Sequence, residues 1–202
     1  MVPLALAAAK PASAEPITIL ALGDSLTAGY GLSPGQGFPA RLEAALQREG
    51  YEVRVLDAGV SGDTTSGGLS RLDWSLDPET DAVIVELGGN DALRGISPEI
   101  SEQALDGILS NLTDRGLPTL LAGMLAPPNM GASYGEAFNG IYPRLAETYD
   151  VVFYPFFLDG VAGEPSLNLP DGIHPTAEGI DLIVSRILPY VEDLIARVPT
   201  SG

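Results

Sequence analysis

The sequence predicts an α/β fold on a doubly wound parallel sheet, and three observations lead there. Five short apolar runs alternate with five longer segments of helical periodicity. The runs are rich in Val, Ile and Leu, as in strands that helices cover on both faces. Helix-end signals fall between them: Gly50 and Gly116 where two helices should stop, Ser97-Pro98 and His174-Pro175-Thr176 where two should start.

In chain order, the first strand is Ile17–Leu22, and it runs into Gly23-Asp24-Ser25 and a short helical turn. A helix over Phe38–Glu49 then stops at Gly50. The second strand, Glu52–Asp57, leads through Ala58-Gly59-Val60-Ser61-Gly62-Asp63 to a helix over Thr64–Trp74. The third, Ala82–Leu87, leads through Gly88-Gly89-Asn90-Asp91 to a helix over Pro98–Arg115. Strand Thr119–Gly123 precedes a helix over Gly135–Tyr149, and strand Val151–Tyr154 precedes the last helix, Pro175–Arg197. Ile180, Ile183, Val184, Ile187, Leu188 and Val191 form a stripe on that helix that should pack on the sheet, and Pro189 should bend it. No linker, repeat or low-complexity block follows residue 16, so residues 17–202 read as one domain.

Composition removes several function classes. The net charge of -17 repels phosphate backbones and anionic membrane surfaces, so no nucleic-acid partner is expected. The chain has no cysteine, which removes thiol nucleophiles, disulfides and Cys-based zinc sites together. With 1 histidine, multi-His metal sites go too; a carboxylate-only metal site stays open but has no motif behind it, and neither metal nor cofactor is expected. No run reaches the roughly 18 apolar residues of a membrane span. Residues 1–16, MVPLALAAAKPASAEP, read as a signal-peptide remnant or a disordered tail: Ala12-Ser13-Ala14 fits a small-x-small cleavage pattern, although a basic n-region is missing. A periplasmic or secreted protein is the expectation, and a monomer is favoured.

Ligands of an open parallel sheet bind at the carboxyl ends of the strands, near the point where strand order reverses. The turns after the first three strands should therefore meet on one edge, and the loop Asp171-Gly172-Ile173-His174 can reach it. Ser25 follows a strand and opens a helical turn, where a serine is most often a cap. It is a nucleophile only beside a base. His174 is the one imidazole available, and Asp171 three residues earlier can hold its Nδ1–H. Alone, this Asp-x-x-His is better read as a surface turn. The Ser25 and Gly62 amides and the Asn90 carboxamide are candidate oxyanion donors, although each also reads as an ordinary turn or cap residue.

In combination these pieces change weight. GDSLTAGYG, SGDTT, ELGGNDALRG and DGIHPT resemble, in order, the four blocks of the GDSL or SGNH hydrolase superfamily. The resemblance is closest to its bacterial arylesterases and multifunctional acyl-CoA thioesterase/lysophospholipases, and spans roughly residues 17–197. It implies a three-layer α/β/α sandwich, flavodoxin-like, with a five-stranded parallel sheet. It implies Ser25 as nucleophile, His174 as base and Asp171 as third triad member. The Ser25 amide, Gly62 and Asn90 become the oxyanion hole, and Asp24 and Asp63 hold turns without catalysing. The reaction implied is hydrolysis of small-molecule esters or thioesters without a cofactor. Glu86, at the end of an apolar strand, should satisfy nearby backbone donors, with its pKa open to an upward shift.

The substrate pocket is less legible. Leu125, Met130, Phe156, Phe157 and Leu158 follow the fourth and fifth strands and can line an acyl or aryl pocket, although core packing explains them equally well. Leu93 and Ile96 are added by the resemblance, which makes their loop a contact for the acyl chain. Two rival readings stand: a carbohydrate acetyl esterase, for which no tryptophan platform is evident, and a non-catalytic flavodoxin-like module holding a phosphate at the Ser25 turn. The latter lacks any glycine-rich phosphate motif.

Overall fold

In the computed structural model, which describes residues 16–199, the five apolar runs are the strands β1 (Ile17–Gly23), β2 (Val53–Gly59), β3 (Ala82–Glu86), β4 (Thr119–Ala122) and β5 (Val152–Tyr154). The leader read at the N-terminus lies, but for Pro16, outside the described residues. All neighbouring strands pair in parallel, in the order β2-β1-β3-β4-β5. The helices are α1 (Ser25–Ala28), α2 (Phe38–Arg48), α3 (Thr65–Ser75), α4 (Gly89–Arg94), α5 (Pro98–Asp114), α6 (Ala132–Asn139), α7 (Ile141–Tyr149) and α8 (Ala177–Ala196). Helices α2 and α8 pack together on one face of the sheet, and α3, α5 and α7 on the other. This is the three-layer α/β/α arrangement, with the flavodoxin-like strand order.

Burial explains the layers. Every residue of β3 is buried, and so are Ile19 to Leu22 of β1, because each strand is covered from both sides. Most of the stripe on α8 is buried as its spacing requires: Ile180, Ile183, Val184, Ile187 and Val191 face the core, while Leu188, at the edge of the stripe, is only partly buried against it. Phe38 of α2 meets Phe157 edge-on at 5.1 Å, closing the core beneath the last strand. No helix among the described residues is long and apolar enough to cross a membrane.

Several boundaries differ from the sequence reading. The helix expected over Gly135–Tyr149 is two helices, α6 and α7, meeting at Gly140. Pro143 is the reason: it has no N–H to give to the Asn139 carbonyl, and its ring crowds that oxygen. The Asn139 side chain turns outward and accepts from Ala126 N–H at 2.8 Å, tying the break to the loop after β4. Residues 89–94 form the short helix α4, where only a turn was expected before α5. The last helix is capped by Thr176, whose hydroxyl accepts from Gly179 N–H at 3.2 Å. Pro189 lies inside α8, and the helix continues through it.

The strand order reverses between the neighbouring inner strands β1 and β3, from which the chain leads to opposite edges of the sheet. Their carboxyl ends therefore leave a crevice, and α1 and α4 start on its two sides.

Candidate active site

Ser25 is the first residue of α1, two residues past the end of β1, and is nearly buried. Asp24 caps the helix, with Oδ1 accepting from Leu26 N–H at 2.9 Å. This fixes the turn and aims the Ser25 side chain across the crevice. Its Oγ lies 2.9 Å from His174 Nε2, and His174 Nδ1 lies 2.7 Å from Asp171 Oδ2. An ionised carboxylate accepts only, so Nδ1 carries the proton and Nε2 is left to accept from the Ser25 hydroxyl.

The histidine loop is built locally. Asp171 Oδ1 accepts from the backbone N–H groups of Ile173 at 2.9 Å and His174 at 3.0 Å. The intervening Gly172 has φ +70, a left-handed conformation that lets the chain reverse between the two side chains. Two backbone bonds close the loop, Leu169 N–H to His174 O at 2.7 Å and Thr176 N–H to Leu167 O at 2.9 Å. The buried Asn168 side chain anchors it, donating to the carbonyls of Val161 at 2.6 Å and Glu164 at 2.8 Å. Those backbone N–H donors, together with the imidazole, hold the Asp171 carboxyl down at about 2. The ring of Tyr30 lies 4.5 Å from that of His174 and covers its outer face.

The other side of the crevice is assembled from three strand ends. Val60 to Asp63 make a turn closed by Asp63 N–H on Val60 O at 3.0 Å. Gly62 stands third with φ +83, and Ser61 has no positive φ, so the turn is type II. In that geometry the Gly62 N–H is not consumed by the turn, and among the described residues neither it nor the Ser25 N–H has a protein acceptor. Asn90 lies in the first turn of α4, and its Nδ2 donates to Asp24 Oδ2 at 2.9 Å. The Asn90 amide has a second N–H to offer.

Beneath these groups lies a buried acidic cluster. Asp24 is pushed up to about 6, chiefly by burial, against the pull of Leu26 N–H and Asn90. Glu86 at the end of β3 is buried completely, and burial followed by the neighbouring Asp24 drives its carboxyl well above the ordinary value. Its Oε2 accepts from Thr27 Oγ at 2.7 Å and from Asp24 N–H at 3.4 Å, while Oε1 has no partner among the described residues. Asp63 instead pairs with Arg71 at 2.6 Å, and Arg71 also donates to the Gly23 carbonyl at 2.8 Å. This mostly buried pair ties the Gly62 turn to the end of β1.

An open cavity of about 800 Å³ leads to Ser25 and His174. Leu93, Leu125, Phe156 and Leu158 line it, as the sequence reading expected. Ile96, Met130 and Phe157 do not. Phe157 is consumed by the core against Phe38. The Ile96 backbone is held instead by the Tyr134 hydroxyl, which donates to its carbonyl at 2.8 Å, and the end of the Met130 side chain lies against Gly95. The sequence reading missed Tyr30, Pro127, Pro128 and Ile173, all of which line the cavity. It also gave no role to Asp91, which is buried and accepts from Thr65 N–H, Thr65 Oγ and Ser101 Oγ at 2.9, 2.6 and 2.9 Å. Asp91 thereby locks α4 to α3 and α5. A carboxylate next to Asn90 in an otherwise apolar stretch was the available signal.

A hydroxyl, an imidazole and a carboxylate in line, facing free N–H donors at the end of an apolar cavity, are equipped for acyl transfer. The model of the GDSL-like lipase/acylhydrolase family matches residues 21–182. The chain belongs to this family. It is accordingly an ester hydrolase. An arylesterase of Vibrio mimicus is 41% identical over 193 residues, covering 95% of this chain and 91% of its own. The thioesterase 1/protease 1/lysophospholipase L1 of Escherichia coli (strain K12) is 40% identical over 179 residues, covering 88% and 85%. Among solved structures, the SGNH-hydrolase family esterase AlinE4 is 50% identical, with a TM-score of 0.77, and the match covers 90% of this chain and 98% of that one.

Proposed function

We propose that this member of the family hydrolyses carboxylic esters of aryl and short-to-medium acyl groups through an acyl-enzyme on Ser25. The observation that carries the proposal is the pair of contacts from Ser25 Oγ to His174 Nε2, 2.9 Å, and from His174 Nδ1 to Asp171 Oδ2, 2.7 Å, at the end of an apolar cavity. His174 takes the Ser25 proton as the oxygen attacks the ester carbonyl, and Asp171 holds the ring and balances its charge. The oxyanion that forms lies among the Ser25 and Gly62 amides and the second N–H of Asn90. His174 returns its proton to the leaving alcohol. Water, deprotonated by the same imidazole, then releases the acid and restores Ser25.

The cavity supports the substrate class. Its walls are mainly Leu, Phe, Pro, Ile and Met side chains, with Tyr30, Ser61 and Asn168 among them, and suit a hydrocarbon chain or an aryl ring better than a sugar. Trp74 stands exposed on α3 and takes no part in the lining, so no tryptophan platform supports a carbohydrate ester. Acyl thioesters and lysophospholipids form a second substrate class, favoured by the similarity to the thioesterase 1/protease 1/lysophospholipase L1 of Escherichia coli. The small-x-small pattern at Ala12-Ser13-Ala14 supports export to the periplasm.

The test is hydrolysis of p-nitrophenyl esters from acetyl to palmitoyl by wild type and Ser25→Ala, with fluorophosphonate labelling in parallel. Wild type is expected to label at Ser25 and to prefer chains the cavity can hold, with both properties lost in Ser25→Ala. Full activity in Ser25→Ala refutes the mechanism, and a wild type that neither labels nor hydrolyses any of the esters refutes the reading.

A further inference from the structure

The three oxyanion donors named above come from separate strand ends, and something must hold them at one spacing. We propose that Arg94 is the positioning residue that joins the Gly62 and Asn90 sides of the hole, an inference that rests on the acyl-transfer reading of the site.

Arg94 ends α4, one helical turn after Asn90. One nitrogen of its guanidinium, Nη2, donates to the Gly62 carbonyl at 2.7 Å and reaches the Asn90 Oδ1 at 3.5 Å. The first is a short, charge-assisted bond, and the second is a longer contact. Together they span the crevice between the loop after β2 and the helix after β3, two segments that share no strand pairing of their own, because β1 lies between them.

The chemistry of the Asn90 amide gives the link a second role. A carboxamide can turn over, exchanging its oxygen and nitrogen. Here the nitrogen faces the Asp24 carboxyl and the oxygen faces Arg94. A guanidinium can only donate, so it meets the oxygen and rejects the NH2 group. Arg94 on one side and Asp24 on the other thus set the amide one way round. The remaining Nδ2–H is then left for a substrate oxygen. Overturned, the amide would present its own oxygen to a developing negative charge.

Arg94 has the marks of a residue kept for geometry. Most arginines among the described residues pair with carboxylates, including Arg41, Arg54, Arg71, Arg115, Arg144 and Arg186. Arg94 instead takes a backbone carbonyl, as Arg48 and Arg197 also do, and alone of these three adds a side-chain amide oxygen. It is also exposed, so its removal leaves no buried cavity or orphaned charge.

The experiment compares Arg94→Ala, Asn90→Ala and the double variant on p-nitrophenyl butyrate, with Ser25→Ala as reference. Arg94→Ala is expected to lower kcat about 10- to 100-fold, less than the roughly 10²–10³ typical of deleting a donor outright. KM should stay within about threefold, because the ground-state carbonyl is barely held by the hole. The thermal midpoint should move by less than about 2 °C, since the lost contacts are exposed. In the Asn90→Ala background the Arg94→Ala effect should shrink to less than about fivefold, because part of its target is gone. An unchanged kcat, a loss confined to KM, or the same factor in both backgrounds overturns the proposal while Ser25 remains essential. If Ser25→Ala keeps its activity, it is the underlying reading that fails, and the two failures are told apart.

Discussion

Two aspartates each hold a side chain of the site, and they do so in opposite electrostatic settings. Asp171 holds His174 from an exposed loop, and Asp24 holds Asn90 from inside the protein, only 1% exposed. Asp171 accepts two backbone N–H groups from its own turn and is pulled down to about 2. Asp24 shares a buried space with Glu86 and is pushed up to about 6. The difference teaches how each arm is made. The histidine arm is a turn of four residues that carries its own backbone N–H donors to the carboxylate, so it needs little from the rest of the chain. The proposed oxyanion arm is a junction of strand ends, and its carboxylate tolerates burial because it caps α1 and receives Asn90.

The contrast can be broken at several points, beginning with the chemistry the two arms share. Ser25→Ala should lower kcat by about 10⁵- to 10⁶-fold, as loss of a triad serine does. On the histidine side, Asp171→Asn should cost about 10⁴-fold in kcat by presenting the wrong tautomer. The wild-type carboxylate, held near 2, should itself stay ionised through the acid range in which esterases are assayed. Rate profiles from pH 4 to 8 check this: a step assigned to Asp171 by its disappearance in Asp171→Asn would contradict the local hydrogen bonds.

On the oxyanion side, Asn90→Ala should lower kcat about 10²- to 10³-fold while KM changes little. A loss seen only in KM would remove Asn90 from the transition state. Asp63→Ala probes the support beneath the Gly62 turn. It leaves Arg71 without its partner in a largely buried place and should cost about 3 kcal/mol in urea unfolding. A loss below about 0.5 kcal/mol would make the pair no more than a surface contact.

The smallest effect concerns Asp24 itself. Its folded pKa, about 6, lies above the unfolded value of about 4, so the folded state holds the proton more tightly. Stability should therefore fall as pH rises from about 4 to about 6, by on the order of 2 kcal/mol from this group. Asp24→Asn should remove that part of the slope, leaving a difference in unfolding free energy that changes with pH. A wild-type-minus-variant difference constant from pH 4 to 7 would show that burial does not raise this carboxyl.

Legibility in the sequence followed the range of the interactions. The inner strands β1, β3 and β4 were readable because they are buried on both faces, which forces an unbroken apolar run, while edge strand β2 alternates buried Val53 and Val55 with exposed Arg54 and Asp57. The Asp171-to-His174 turn was readable for the same local reason: its contacts lie within four residues. The division of α6 from α7 was overlooked although its cause, Pro143, stands in the sequence. The short helix α4 was harder, because six residues with Gly at the start carry too little periodicity to distinguish from a turn. The cavity lining was half legible. Leu93, Leu125, Phe156 and Leu158 face the cavity, while Phe157, of the same chemistry and adjacent in the chain, faces the core.

By itself the sequence determined the layer architecture, the family blocks and the identity of the residues able to do acyl chemistry, because one histidine and no cysteine leave few choices. Only the tertiary structure decided which apolar side chains form the cavity, that Asp24 and Glu86 are buried together, and that Arg94 reaches from α4 to the Gly62 carbonyl. The physical reason is distance along the chain. Ser25 and His174 are separated by 149 residues, Asn90 and Asp24 by 66, and Arg94 and Gly62 by 32. Such contacts depend on how strands β1, β2 and β3 lie side by side, and no local pattern encodes which loops then face each other.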